Sequence, residues 1–221
     1  MKIKNNVNYF ARKGTMKIVG AAMVALGFLL YFVGWGWIAY ILMCVCIPAG
    51  AALFIIGSSG RASDEDIDEF IAVKMRDLDP GLDTDRRFSG RVVKGSEPIA
   101  LEGYEYREGL MFAKTKSGSV RSSELVASVV YILTDAVYLI QRRISLISDE
   151  VEDSVRDIPF GDILSAELVE EAGSFTFNKN LFRVKAMHLR IQMKDGGEIL
   201  IPVHDDMRSE NAVSAINRVV G

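Results

Sequence analysis

From Ile18 to Gly60 the chain runs for 43 residues without a single charged side chain. At about 1.5 Å per residue, a helix of that length would reach roughly 65 Å, about twice the hydrocarbon thickness of a bilayer. One straight crossing is therefore excluded. The sequence predicts two spans, over about 17–34 and 37–57, reversing at Gly34-Trp35-Gly36-Trp37. Glycine permits the backbone angles of a tight reversal, and tryptophan prefers the interfacial zone where its ring is apolar and its N–H is wet. Tyr31, Trp35, Trp37 and Tyr40 are the expected membrane-interface residues.

The flanks set the orientation. Residues 1–17 hold Lys2, Lys4, Arg12, Lys13 and Lys17 and no acid, whereas Arg61, Lys74 and Arg76 follow the second span and the turn has no base. Positive charge stays in the cytoplasm, so a two-pass protein with both termini in the cytoplasm is expected. A cleaved signal peptide fits poorly, because its apolar core would be only about 7–15 residues long. Pro48 is expected to kink the second span, and Ala21 and Ala25 to form a small-residue face for helix packing. Neither span holds an ionisable residue, which points to an anchor rather than a conduit. Cys44 and Cys46 both lie inside the apolar run and read as small lipid- or helix-facing residues; Met43 stands where a lipoprotein would need a small residue. The remainder therefore has no disulfide framework, which fits a reducing compartment.

Residues 61–221 carry 21 basic and 29 acidic residues, leaving this part at −8. No basic face dominates, so nucleic acid is not an expected partner. Ser63, with Asp66 three residues on, caps an amphipathic helix over about 64–77, and "DPGLDTD" at 79–85 breaks it as a linker. Period-two alternation then takes over. Strands are expected near 90–93, 98–104, 109–115 and 119–125, with a turn at 117–119. Two more flank a turn at Thr134-Asp135 within 126–147, and another covers 163–171. In "AMHLRIQM" Met187, Leu189, Ile191 and Met193 share one face, and Ile199, Ile201 and Val203 continue it. A three-residue loop at Asp195-Gly196-Gly197, with Gly197 left-handed, would pair Met193 with Ile199 and keep both apolar sets together. Asp206 then caps a helix of about 207–220 with Ala212, Val213, Ile216 and Val220 on one stripe.

The expected fold class is thus α+β. A two-helix transmembrane hairpin precedes an antiparallel β-barrel or sandwich, which the C-terminal helix closes. The segments are 1–16 (basic N-terminal segment), 17–57 (hairpin), 58–85 (juxtamembrane helix and linker) and 86–221 (β-domain with its helix). "YILTDAVYLI", "DIPFGDILSAEL" and "LRIQMKDGGEILIPV" followed by a terminal helix resemble the bacterial pleckstrin-homology-like (PH-like) domains, including those on membrane hairpins. The resemblance covers about 126–221. It implies a bent β-sandwich and, where headgroups are bound, a basic loop between the first two strands. Here that loop would be the short, acidic Thr134-Asp135.

No catalytic constellation stands out. His188 falls on a polar strand face and reads as solvated. His204-Asp205-Asp206 lacks the further ligands a metal would need, and Asp206 is the helix cap. "SDEVEDSVRD" at 148–157 reads as an exposed acidic loop, and Glu102, Glu105 and Glu108 as exposed strand ends. The expectation is a non-enzymatic, membrane-anchored cytoplasmic module. It takes no cofactor or metal and recruits or regulates a membrane-associated protein, with homo-oligomers an option. The alternative is a sensor of anionic lipid headgroups through Arg142 and Arg143.

Overall fold

Glycines at seven-residue spacing organise the apolar part of the chain. In the computed structural model, which describes residues 3–11, 14–33, 36–58, 62–76, 78, 90–91, 97–204 and 206–221, the chain divides into two compact units, Met1–Ser63 and Asp64–Gly221. The first contains α1 (Ile3–Phe10), α2 (Gly14–Val33) and α3 (Gly36–Ser58). Helices α2 and α3 pack antiparallel, backbone against backbone. A Cβ on Gly20 would stand 2.6 Å from the Phe54 nitrogen, one on Gly50 2.8 Å from the Gly20 carbonyl oxygen, and one on Gly57 2.9 Å from the Lys17 nitrogen. Gly20 and Gly27, like Gly50 and Gly57, are seven residues apart and buried, and that period keeps one helix face turned to its neighbour. Ala21 and Ala25, the expected packing face, are instead exposed. Only glycine lets two helix backbones approach this closely, so alanine loses the contact face to it.

Helix α3 contains Tyr40–Gly57, eighteen residues of mean hydropathy 2.3, long and apolar enough to cross a membrane; the apolar stretch of α2, Met16–Phe32, is shorter. Pro48 lies inside α3, which continues through it. The reversal at Gly34-Trp35 lies outside the described residues. Helix α1 lies in the basic segment expected at 1–16. Ile3, Val7 and Phe10 recur at helical spacing, Tyr9 and Phe10 are buried, and Ala62 N donates to the Asn5 carbonyl.

The second unit opens with α4 (Asp64–Met75), close to the expected helix. The helix groups with the strands that follow in one compact unit. The 79–85 linker lies outside the described residues, as do Val92 and Val93 of the expected first strand, while Gly90 and Arg91 are not in a strand. Nine strands follow among the described residues: β1 (Ile99–Tyr104), β2 (Phe112–Lys114), β3 (Val120–Ser122), β4 (Glu124–Ile132), β5 (Ala136–Ser145), β6 (Val151–Pro159), β7 (Ile163–Phe177), β8 (Asn180–Met193) and β9 (Glu198–Val203). Helix α5 (Met207–Val220) ends the chain. They form an antiparallel four-stranded sheet β1-β4-β5-β6, a β2-β3 hairpin and an antiparallel three-stranded sheet β7-β8-β9. The connection from β1 to β4 is 105–123, and the expected Thr134-Asp135 turn joins β4 to β5.

Leu101, Val130, Leu139, Ile163, Leu189, Ile191, Ile201, Ala212 and Ile216 all join one core, so α5 buries its stripe among residues of both sheets. Burying a residue such as Ile216 is worth about 1.5–3 kcal/mol. A satellite core joins Phe112 of the hairpin to Phe182, with Phe175 and Phe177 packed around them. Strand β8 therefore serves two cores with opposite faces. Leu189 and Ile191 point to the main core; Phe182 and Val184, of the other parity, are buried nearer the hairpin end. The β7-β8 turn is Asn178-Lys179, both left-handed (φ 49° and 64°), as a two-residue type I′ hairpin needs.

Two strand expectations are corrected. The acidic stretch 148–157 is mostly β6, an edge strand pairing Asp153 with Arg142 and Glu152 with Arg143 of β5. Cross-strand charge pairing, rather than apolar alternation, accounts for it. At β8-β9 the register is Ile191 with Ile199, and Met193 N donates to the Gly197 carbonyl. The loop is thus Lys194-Asp195-Gly196, one residue earlier than expected, with Gly196 left-handed (φ 87°). Asp195 Oδ1 accepts from Gly197 N at 2.8 Å and fixes that turn. Parity is unchanged, so the two apolar faces still coincide, with Leu189 now opposite Ile201.

Edge strand β7 is closed by a side chain. Asn217 of α5 donates Nδ2 to the Ala166 carbonyl and accepts from Ala166 N, each at 2.8 Å, beside the register shift at Ile163/Ser165. Asn217→Ala strands both backbone groups and should lower stability by about 2 kcal/mol, read as thermal unfolding of the full chain in detergent micelles. Gly20→Ile should lower the detergent resistance of the first unit, measured by helical circular dichroism against rising denaturant. Ala21→Ile on the exposed face should leave it unchanged.

Candidate functional site

The site is a groove of about 810 Å³ within the second unit, between α4, β1, the β2-β3 hairpin and the start of β4. Its geometry begins at Gly103. A Cβ there would collide with the backbone of Pro202 and Val203, so β1 can cross β9 at this point only as glycine. Strand alternation puts Leu101 into the core and leaves Glu102 and Tyr104 on the opposite face, in the groove wall. Tyr104 stands edge-on to His204, ring centroids 6.2 Å apart. Tyr106 stacks on Phe112 and Phe175, and its hydroxyl donates to the Val120 carbonyl at 2.8 Å. Tyr104, Tyr106 and His204 also line a smaller cavity of about 140 Å³ with the Glu170–Lys185 pair.

The opposite wall is the acidic first turn of α4, where carboxylates suit the positive end of the helix dipole. The hairpin clamps that turn. Lys116 N donates to Asp64 Oδ2 at 2.9 Å, Lys116 Nζ meets Glu65 at 3.0 Å, and Arg121, mostly buried, meets Asp68 at 2.9 Å and donates to the Asp64 carbonyl. Glu65 holds the Lys116 ammonium above its usual range. At the other end of α4, Arg142 donates to the Lys74 carbonyl at 3.1 Å and Lys74 meets Asp149 at 3.2 Å.

What remains uncommitted is Glu102 and the Tyr104 hydroxyl. Glu102 is half-buried and has no hydrogen-bond or ion-pair partner among the described residues. Burial raises the Tyr104 hydroxyl well above the usual phenol range, against a lowering by Arg121, and burial raises Tyr106 to about 12. Both phenols therefore keep their protons at neutral pH. The groove offers a carboxylate, an aromatic ring and a phenolic O–H over an apolar floor of Ile71, Met75 and Leu125.

The residues singled out in the sequence are dispersed. Arg142 is gripped bidentately by Asp153 at 2.7 and 2.8 Å, and Arg143 meets Glu152 at 3.1 Å. That Arg142 contact holds the Asp153 carboxyl below the usual range. Tyr31 and Tyr40 meet edge-on at 6.5 Å, Trp37 is 73% exposed, and Trp35 lies outside the described residues. His188 is not solvated. Its side chain is 14% exposed, with Nδ1 lacking a hydrogen-bond partner and Glu171 4.0 Å away. Of the acidic trio only Glu102 reaches the groove, and Asp205 lies outside the described residues. No metal-binding group of His, Cys, Asp and Glu occurs among the described residues. Tyr104, Tyr106 and Arg121 went unread, although "EGYEY" places Glu102 and Tyr104 on one strand face. No protein-family model, curated protein or solved structure matches the chain.

Asp206 is a helix cap: its Oδ1 accepts from Ser209 N at 3.0 Å, and that bond holds its carboxyl below the usual range. A depressed carboxyl contributes stability above its ordinary value of about 3.9 and loses it as pH falls through the lowered folded value. Asp206→Ala should therefore cost about 1 kcal/mol at neutral pH. The gap from the parent should close under strongly acidic conditions, as followed by thermal unfolding across pH.

Proposed function

We propose that the chain is a membrane-anchored cytoplasmic binding module that recruits or regulates a membrane-associated protein through the α4 groove. The observation that carries this reading is the groove itself, a concave site with Glu102 and the Tyr104 hydroxyl uncommitted, in a chain that also bears a membrane-length apolar helix. In this reading α2 and α3 cross the bilayer as a pair. Their glycine-to-glycine packing supports it, because in lipid close backbone approach, not apolar burial, drives helix association. Tyr31, Trp37 and Tyr40 flank the reversal, where interfacial aromatics are favoured. Lys17 before the first span and Lys74 and Arg76 after the second favour cytoplasmic ends. The second unit is read as PH-like; a four-stranded and a three-stranded antiparallel sheet with a C-terminal helix on the shared core support this.

Protein rather than lipid is favoured as the partner by the state of the cations. Arg142 and Arg143 are paired, and so are Arg107, Lys116 and Arg121 in the 105–123 connection, with Glu124, Glu65 and Asp68. A reporter domain fused after Gly221 should lie on the cytoplasmic side, inaccessible to an impermeant label in intact cells. A photo-crosslinker replacing Tyr104 should trap a protein of discrete size in membranes, and one replacing Glu198 should not. An external reporter, or indiscriminate crosslinking at both positions, would overturn the reading.

A further inference from the structure

Resting on that reading, we propose that the occupant of the α4 groove is a basic segment of a membrane-resident partner, one of whose arginine or lysine side chains sits between the Glu102 carboxylate and the Tyr104 ring. Four carboxylates line the groove: Asp64, Glu65, Asp68 and Glu102. Three are occupied from within, Asp64 and Glu65 by Lys116 and Asp68 by Arg121. Those contacts pair both cations of the wall, with Glu65 and Asp68, while Asp64 is met by a backbone N–H, so the wall keeps a net negative charge and Glu102 is its carboxylate without a hydrogen-bond or ion-pair partner among the described residues. A half-buried carboxylate has given up part of its hydration, and a hydrogen-bonded cation restores it.

The neighbours of Glu102 specify more than charge. Tyr104, two residues along the same strand face, offers a ring to a cation and a phenolic oxygen to its N–H groups. Ile71, Met75 and Leu125 form the apolar floor that the methylene stem of an arginine or lysine covers while its head reaches a carboxylate. An anion would face unfavourable charge, because the two cations present are already paired. A neutral apolar ligand would leave Glu102 desolvated without gain. The source of such a segment follows from topology: cytoplasmic flanks of membrane proteins are rich in Lys and Arg, and a tethered module shares a surface with them. Confinement of that kind gives an effective concentration of about a millimolar, so a modest site suffices.

The test uses the full chain in nanodiscs of phosphatidylcholine alone, so that no anionic lipid competes. The probe is a short fluorescein-labelled peptide alternating arginine with leucine and alanine, beside a counterpart with glutamine in place of arginine. The arginine peptide should saturate in fluorescence anisotropy below about 1 mM and the glutamine peptide should not. Glu102→Gln should weaken binding about tenfold, and Tyr104→Leu several-fold. Glu198→Gln, at the exposed β8-β9 hairpin, should leave it unchanged and controls for bulk charge. Equal binding of the two peptides, or equal weakening by Glu102→Gln and Glu198→Gln, would overturn the inference. So would no saturation by a chain whose circular dichroism is native. If the reporter after Gly221 is cytoplasmic while the peptides bind alike, the basic-segment inference alone falls. If the reporter is external, the module reading falls, whatever the peptides do.

Discussion

The crossing of β1 over β9 at Gly103 is the constraint on which the second unit depends. One missing Cβ lets a strand of the four-stranded sheet lie against the backbone of Pro202 and Val203 in the three-stranded sheet. Leu101 is thereby delivered to the core shared with Ile201 and Ile216. Strand alternation does the rest, sending Glu102 and Tyr104 outward on the other face. The groove is thus a consequence of how the two sheets meet, and its aromatic wall is as fixed as the core behind it.

The opposite wall is held quite differently. Helix α4 is fastened by Lys116 and Arg121 at its first turn and by Arg142 and Asp149 at its last. Exposed pairs of this kind are each worth about 0–1 kcal/mol and weaken with salt. Arg121 and Arg142 are the exceptions, with side chains 15% and 16% exposed, and they fix the register of the helix. One wall of the groove is thus set by packing and the other largely by ion pairs at the surface.

What the sequence made legible was what periodicity controls. The apolar run, the alternation of β8 and β9 and the capped terminal helix depend on local spacing, and they were found nearly in place. Elements stabilised across the chain were hidden. Strand β6 has seven exposed residues in succession from Val151 to Asp157, and its pairing with β5, Arg142 and Arg143 included, makes it a strand. Strand β7 extends to Phe177 through Ala172-Gly173-Ser174, a break by composition, because Phe175 and Phe177 pack into the satellite core. The one-residue error at the β8-β9 turn has a clear origin. Two adjacent glycines can each take the left-handed position, and hydrophobic parity alone does not choose between loops that preserve it; the Asp195 to Gly197 bond does. Tyr104 and Arg121 escaped notice for the same reason, since each becomes part of a site only through a partner distant in the chain.

The packing face of the helix pair is likewise set by how closely backbones approach. In water a small-residue face gains little over its neighbours, because apolar burial drives packing. In hydrocarbon lipid tails are as apolar as leucine, so association goes to whichever face brings backbones closest. Four glycines at two seven-residue intervals outrank Ala21 and Ala25 on that criterion, although alanine at four-residue spacing is the more familiar pattern. The choice also fixes which side chains the pair leaves exposed. With Gly20 and Gly27 turned inward, Ile18, Leu29 and Phe32 of α2 and Ile41, Val45 and Ile55 of α3 are left exposed. Both helices thus turn large apolar side chains outward around the glycine seam, and one of them, α3, is long and apolar enough to cross a membrane.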